Sequence, residues 1–399
     1  MSSESTRRRG AGLDIAVVGG GMVGAAAALT LARAGFATAM IDAREPAAWQ
    51  PEAEVDLRVV GLAPSSIVLL EDLGVWTSIR ESRAGPYSRM HVWDSENGAA
   101  IDFDAADDGH ERLGWIVENS LVQQVLWQAL VAAGVRRLCP AEVSGYQVRD
   151  ERVQVELTDG QGVSARLLVA ADGIQSPLRR IAGIDTKGRD YAQRAVVAHV
   201  STERAHEDTA WQVFLPGGPL ALLPLADGRS SVVWSLPEAE AGRVLAMDDE
   251  AFREALGVAS DFRLGRVTGT TKRAAFPLRL QLAERYQAER FVLLGDAAHV
   301  VHPLAGQGVN LGLRDVAELR DTLVAAREAG KDFAADHILR RYARRRRSAD
   351  TFDAMGFDGL ARIYAWRAAP LVAARGLGVR LLDRLAPVKR HLMRHAGGV

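Results

Sequence analysis

Residues 291 to 315, FVLLGDAAHVVHPLAGQGVNLGLRD, put an acid, bare backbone and a helix start in an order suited to holding a phosphorylated cofactor. The four apolar residues Phe291 to Leu294 predict a strand covered on both faces, which carries Gly295 and Asp296 to its end. A carboxylate there can accept hydrogen bonds from sugar-like hydroxyls. Pro303 shapes the following turn, and Gly306 and Gly308 flank Gln307 where backbone free of side chains can approach a planar ring. Gly308, Val309 and Asn310 then open a helix. Its unpaired amides and positive dipole end favour negative charge.

A second constellation lies near the N-terminus. Gly19, Gly21 and Gly24 form GxGxxG directly after an apolar strand and before a small-residue helix. That context suits a tight turn, close approach of a pyrophosphate, and close packing of helix on strand. Asp42 ends the next strand, eighteen residues after Gly24, and is placed to accept hydrogen bonds from a ribose. The motif alone does not separate NAD from FAD. Asp172 and Gly173 end a further buried strand, LLVAADG, with Ser176 and Arg179 opening a helix beyond it. Asp172 can serve a pyrophosphate groove or cap that helix, and the two roles can coexist.

These residues need strands that stop together, and the periodicities supply them. Residues 14 to 45 predict a βαβ unit. Residues 57 to 80 predict a helix around SSIVLLEDLGVW, residues 87 to 104 short strands, and Glu118 to Gly134 a helix. Strand patterns dominate residues 185 to 280, with a helical piece near 248 to 256, and predict an antiparallel layer for substrate. The pattern is helical after Ala317. The expected fold is α/β, mixed with α+β: a Rossmann-type cofactor-binding domain at 1–80, 111–184 and 285–340, an inserted antiparallel β-sheet substrate domain at 81–110 and 185–284, and a C-terminal helical tail at 341–399.

Composition excludes several classes. With 48% hydrophobic and 25% charged residues the chain is ordinary globular protein. Its one cysteine, Cys139, excludes a disulfide framework and a cysteine-based zinc site and fits the cytoplasm. No signal-peptide core and no apolar run of membrane-spanning length is present. A nucleophile elbow and a P-loop lysine motif are both missing, which disfavours a serine hydrolase and ATP use. His299 and His302 could suggest a metal, but no third ligand at suitable spacing accompanies them, and structural histidines are expected.

The three ordered motifs, GxGxxG, the Asp172–Gly173 pair and the Gly295–Asp296 pair, resemble the FAD-dependent aromatic hydroxylases of the para-hydroxybenzoate hydroxylase type over about residues 14 to 345. GGGMVG, LGVW, HVWD, IVENS, VVWSL and GDAAHVVHPLAGQGVNLG narrow the likeness to the bacterial ubiquinone-biosynthesis hydroxylases, the UbiI, UbiF and UbiH group, with the ring carbon 5 hydroxylases most alike. The resemblance implies FAD, NADPH or NADH as a transient co-substrate, and O2 carried as a flavin C4a-hydroperoxide to the ring of a polyprenylated phenol. It also implies that Arg58 approaches the cofactor, that Asn119 lies beside its phosphates, and that Asp172 lies near the pyrophosphate and nicotinamide. Other ubiquinone-biosynthesis proteins are implied partners. Hydroxylation of a soluble aromatic compound, reduction of prenyl double bonds, and a scaffold subunit that binds FAD structurally are the alternatives.

An apolar lining drawn from Phe214, Leu223, Pro224 and Trp234 would keep water from the reaction; no catalytic base stands out. From Arg340 onward fourteen Lys or Arg face four acids, so the tail carries +10 and the remainder −11. Within it Leu377, Leu381, Leu385, Val388 and Leu392 share one helical stripe, with Arg380, Arg384, Arg390 and Arg394 off it and Pro387 set to split the helix. Two readings stand: an interfacial helix drawn to anionic lipid, peripheral to the inner membrane, or to an acidic partner; and a terminal helix packed on its own domain. No nucleic-acid-binding fold accompanies the run Arg344 to Arg347.

Overall fold

In the computed structural model, which describes residues 12 to 301, 308 to 364 and 368 to 398, the buried apolar strands assemble in parallel, with the exposed strand Arg136–Leu138 at one edge. Phe291–Leu293, Gly162–Ala170, Leu13–Val18, Thr38–Ile41 and Arg136–Leu138 lie side by side in that order. Helix Met22–Arg33 packs closely on them because Ala25 to Ala28 are fully buried and Gly24 has no side chain. A Cβ on Gly24 would lie 1.9 Å from the Gly19 carbonyl oxygen. A second close approach joins helix Gly308–Glu328 to this helix, where a Cβ on Gly312 would lie 2.5 Å from Val23 Cγ2. Asp42, Asp172 and Asp296 all follow the carboxyl ends of parallel strands, the edge where open α/β sheets bind ligands.

A second, mostly antiparallel sheet runs in the order His299–Val300, Ala274–Ala283, Thr186–Thr202, Ser230–Pro237, Gly218–Pro224, Thr209–Leu215, Arg89–Asp94, Ala100–Asp104. Its back face carries Val196, Ala198, Val213, Leu220, Val232 and Trp234, which pack with Phe252 and Leu256 of helix Asp249–Ala259. Side chains alternate along a strand, so the residues between them face the other way. A small sheet of Val59–Leu62, Gly114–Glu118 and Ala84–Tyr87 is hydrogen-bonded to neither but packs against both, with Val60, Leu62 and Val117 in the main core and Ile116 against Leu223 and Leu225.

The segment 57–80 departs from its predicted single helix. Val59 and Val60 pair with Glu118 and Val117 as strand, and helix begins only at Pro64. Gly74, with φ +57°, separates Pro64–Asp72 from Trp76–Arg83. Helix Glu238–Ala246 was not foreseen. The tail divides at Leu385 into Ala369–Arg384 and Ala386–Gly397, as Pro387 predicts. Among the described residues no helix is long and apolar enough to cross a membrane.

Candidate functional site

The glycine turn meets the helix Met22–Arg33 without a side-chain cap, which leaves the first amides of that helix unpaired by side chains. Gly19, at φ +103°, presses on the next strand's end, since its absent Cβ would lie 2.2 Å from the Ala171 carbonyl oxygen. A Cβ on Gly20 would lie 2.4 Å from Trp127, so the motif's variable position is sterically as tight as its named ones. Gln123 Nε2 and Trp127 Nε1 both donate to the Gly20 carbonyl at 2.7 Å and hold the turn. Asp42 accepts from the Gly20 amide at 2.5 Å and the Arg44 amide at 2.9 Å. Gly21 is different. A Cβ there meets nothing within 4 Å, so only an incoming ligand would require its bareness.

Asp172 stands against this turn. Its Oδ2 accepts from the Leu178 amide at 3.1 Å, and Ser176 accepts from the Arg179 amide, so the helix-capping reading of this segment holds. Asp172 Oδ1 is nevertheless buried with no partner among the described residues. Burial raises its pKa, and the hydrogen bonds from Ser176 and Leu178 oppose the shift. Gly173 follows at φ +82° with open space where a Cβ would go. Arg179 reaches across the cleft floor to the Ala297 carbonyl at 2.8 Å and so ties this segment to the one containing Asp296.

Arg58 and Asn119 come together because strands Val59–Leu62 and Gly114–Glu118 are paired; the Asn119 amide donates to the Arg58 carbonyl at 3.0 Å. Arg58 is exposed, lies 5.9 Å from the centroid of the exposed Phe276 ring, and has no hydrogen-bond partner for its guanidinium among the described residues. Asn119 Oδ1 is a second buried oxygen without a partner. The loop before Arg58 is anchored by Glu118, which sequence reasoning missed. Its carboxylate accepts from Arg83 Nε at 2.7 Å, the Asp56 amide at 2.6 Å and Trp49 Nε1 at 3.2 Å.

Asp296 is open to the cleft, yet the protein packed around it raises its pKa, with His299 and Arg58 pulling the other way. Beneath it His299 bonds Asp315 at 2.6 Å, and Asp315 also accepts from the Gly295 amide at 2.9 Å. Arg346 bridges Asp315 at 2.6 Å and Asp350 at 2.5 Å. Burial alone would lower the pKa of His299, but Asp315 and Asp350 hold it up at about 9. Burial pushes Asp350 up to about 7. His299, Asp315 and Asp350 could together surround a metal ion. The Arg346 guanidinium already supplies the positive charge there, so the structural reading of His299 stands.

Pro303, Gly306 and Gln307, with His302, lie outside the described residues. Gly308 opens the helix with free space where a Cβ would go, and Val309 packs on the main core. The Asn310 side chain is fully buried. Its Oδ1 accepts from the Ala63 amide at 2.9 Å and Ser66 Oγ at 2.7 Å, and its Nδ2 donates to the Gly61 carbonyl at 2.8 Å. Its side chain is thereby taken up within the protein.

The wall opposite is the front face of the second sheet. Val197, Val233, Ala221 and Gln212 are directly paired across four strands, and Ala195 pairs with Phe276 beside them. Trp234 does not belong to this wall as expected: it points to the back face and packs under the helices there. Phe214 stacks on Tyr364 at 3.7 Å, and Leu223 packs with Val55 and Ile116, so these two line separate ends.

The unpartnered acceptor oxygens of Asn119 and Asp172 fit hydroxyl or N–H donors, and the free Arg58 guanidinium and the open positions at Gly21, Gly173 and Gly308 fit the phosphates and backbone approach of a long cofactor laid across the strand ends.

Three arginines of the tail, Arg375, Arg380 and Arg394, face the protein. Arg375 pairs with Asp94 and Glu96, Arg380 donates to the Asn97 carbonyl, and Arg394 pairs with Asp108. The leucine stripe faces outward.

Comparison with known proteins agrees with this geometry. The family described as "FAD binding domain" matches residues 12–351. The chain is 38% identical over 387 residues to the 3-demethoxyubiquinol 3-hydroxylase of Escherichia coli (strain K12), covering 97% of this chain and 98% of that one. It is 37% identical over 386 residues to the ubiquinone hydroxylase UbiL of Rhodospirillum rubrum, covering 96% and 89%. Among solved structures, the p-nitrophenol 4-monooxygenase PnpA of Pseudomonas putida DLL-E4 superposes with a TM-score of 0.77 at 19% identity, covering 97% and 98%, which is a likeness of fold.

Proposed function

The chain belongs to the FAD binding domain family and is a flavin-dependent hydroxylase, and on that premise we propose that it adds a hydroxyl to the aromatic ring of a polyprenylated phenol or benzoquinol intermediate of ubiquinone biosynthesis, in the cytoplasm, with NADPH or NADH and O2 as co-substrates. Bound FAD supplies the redox chemistry that links reduced nicotinamide to O2. The chain's own residues bind, orient and exclude water. The unpaired amides after Gly21 and the open backbone at Gly173 suit a pyrophosphate, with Gly19 and Gly24 allowing the turn and Asp42 beside it for a ribose. Asp296 is placed for the sugar-like chain, and the amides of Gly308, Val309 and Asn310 for the ring's negative charge. Arg58 and Asn119 close the other side.

One observation carries the ring-hydroxylation reading. In the front row Val197, Val233 and Ala221 offer an aromatic ring an apolar wall that ends at Gln212, with Phe276 and Arg58 at its border. An apolar wall of this kind keeps water from competing at the reacting carbon. For the position of the new hydroxyl, the segment likeness favours ring carbon 5, whereas the Escherichia coli relative bears a 3-hydroxylase name.

The test is complementation of a strain lacking this chain. Wild type should restore quinone synthesis and Asp296→Ala should not. Nuclear magnetic resonance of the intermediate that accumulates without the chain then identifies the carbon. Unchanged quinone synthesis with Asp296→Ala would leave a structural scaffold as the better reading, and a purified protein that fails to bind added FAD would end the proposal.

A further inference from the structure

Ten of the sixteen exposed large hydrophobic residues among the described residues lie between positions 352 and 392. Seven of them, Phe352, Met355, Leu377, Leu381, Leu385, Val388 and Leu392, mark the outward side of the last three helices. Phe352 and Met355, exposed by 69% and 70%, lie three residues apart on helix Asp336–Tyr364, and Phe352 meets His395 of the last helix edge-on at 5.7 Å. Leu377, Leu381 and Leu385 continue it along helix Ala369–Arg384, and Val388 and Leu392 along helix Ala386–Gly397. The opposite face of the first tail helix is the attached one. There Val379 packs on the cluster of Val92, Ile101 and Phe214, and Arg375 is buried against Asp94.

Charge separates the occupants this surface could take. The described acids of the tail are all turned inward: Asp350 is bonded to Arg346, Asp353 to His395, and Asp383 to Lys389. Arg384, Arg390, Arg344 and Arg347 are exposed and make no ion pair among the described residues. The outward surface is therefore apolar with a positive border and no free acid among the described residues. A bilayer of anionic phospholipid matches it, offering acyl chains to the leucines and headgroup charge to the arginines.

We propose that the outward face of helices Ala369–Arg384 and Ala386–Gly397, extended by Phe352 and Met355, seats the folded enzyme on an anionic lipid surface. This goes beyond the ring chemistry and stands on the tail alone. Attachment is peripheral, because the same helices stay pinned to the protein by Arg375 and Arg394.

The experiment is co-sedimentation of the full-length holoenzyme with vesicles of phosphatidylcholine alone and of phosphatidylcholine mixed with phosphatidylglycerol. Wild type should pellet with the mixed vesicles and be released by salt. The double variant Leu377→Glu/Leu381→Glu should bind roughly tenfold or more weakly, because two exposed leucines no longer enter the acyl layer. It should keep wild-type FAD absorbance, since neither leucine packs inside the protein. Arg384→Gln should weaken binding to mixed vesicles only. Wild type that stays in solution, or a leucine variant that pellets equally well, overturns the proposal. Equal pelleting with neutral vesicles overturns the anionic assignment. A dimer seen by light scattering, abolished by the leucine variant and indifferent to vesicles, assigns the face to a second copy of the chain instead. Loss of ring hydroxylation with vesicle binding intact would count against the proposed reaction and not against the lipid surface.

Discussion

Arg375→Met should release the tail from the second sheet. Arg375 is almost fully buried, and its Nε and Nη2 donate to the two oxygens of the fully buried Asp94 at 2.6 and 3.0 Å. Removing one partner of a buried pair costs about 3–5 kcal/mol, because the other charge stays desolvated. Here the lower end applies. Asp94 keeps the Asn97 side-chain amide at 2.7 Å and the Glu96 backbone amide at 2.9 Å, and the helix can lift so that water reaches it. A loss of about 3 kcal/mol corresponds to roughly a hundredfold rise in the open population. Hydrogen–deuterium exchange by mass spectrometry over residues 369–384 should speed up by that factor, while the strand Leu13–Val18 stays protected. The double variant Asp94→Asn/Arg375→Met should regain most of the protection, since it leaves no buried charge. Unchanged exchange in the single variant, or a double variant no better than the single one, would refute the view that this ion pair holds the tail.

Three other changes separate stability from ligand binding. Gly24→Ala should yield protein with little FAD and reduced stability, because the new Cβ would lie 1.9 Å from a backbone oxygen that cannot withdraw; full flavin absorbance after purification would contradict this. Arg58→Ala should leave the urea midpoint unchanged, since the side chain is exposed and unpaired among the described residues, but should lower FAD retention on dialysis; equal retention would remove Arg58 from the site. His299 gives a pH prediction: with its pKa raised from 6.5 to about 9, its stabilising contribution is complete below 6.5 and lost as pH rises through 9. The urea midpoint of wild type should therefore fall across that window, and that of His299→Gln should fall less; parallel curves would show that the pair with Asp315 does not form.

The elements that carry the site were legible where one local pattern sufficed. Gly19, Gly21 and Gly24 between strand and helix, and acids at the ends of buried strands, are short-range signals, and the structure brings Gly19 against Ala171 and Asp42 against Gly20 as a βαβ unit requires. Side chains whose partners are distant in sequence were not legible. Asn310 was legible only as part of a helix start; that its side-chain amide is satisfied by groups 244 to 249 residues away left no local signal. Glu118 gave no signal, because its value lies in joining Arg83, Asp56 and Trp49. Trp234 was misassigned for another reason: in SSVVWSL both faces of the strand carry apolar or small residues, so alternation alone does not say which face meets the cleft.

The tail shows the same limit in a form that bears on function. Periodicity defined the stripe from Leu377 to Leu392 but not the direction it faces. By apolar burial alone the helix should turn its leucines inward, at about 1.5–3 kcal/mol for each one buried. Such a rotation would carry Arg375 away from Asp94 and Arg394 away from Asp108, and Asp94 has no exposure to water with which to replace its partner. Asp94, at the end of a strand of the second sheet, and Asp108, in the turn that follows another, thus keep Arg375 and Arg394 inward and the leucines outward. An ordinary soluble helix in this position would need neither Asp94 buried nor its leucines exposed. The orientation becomes favourable once the outer face meets an apolar phase, as the proposed lipid surface would supply.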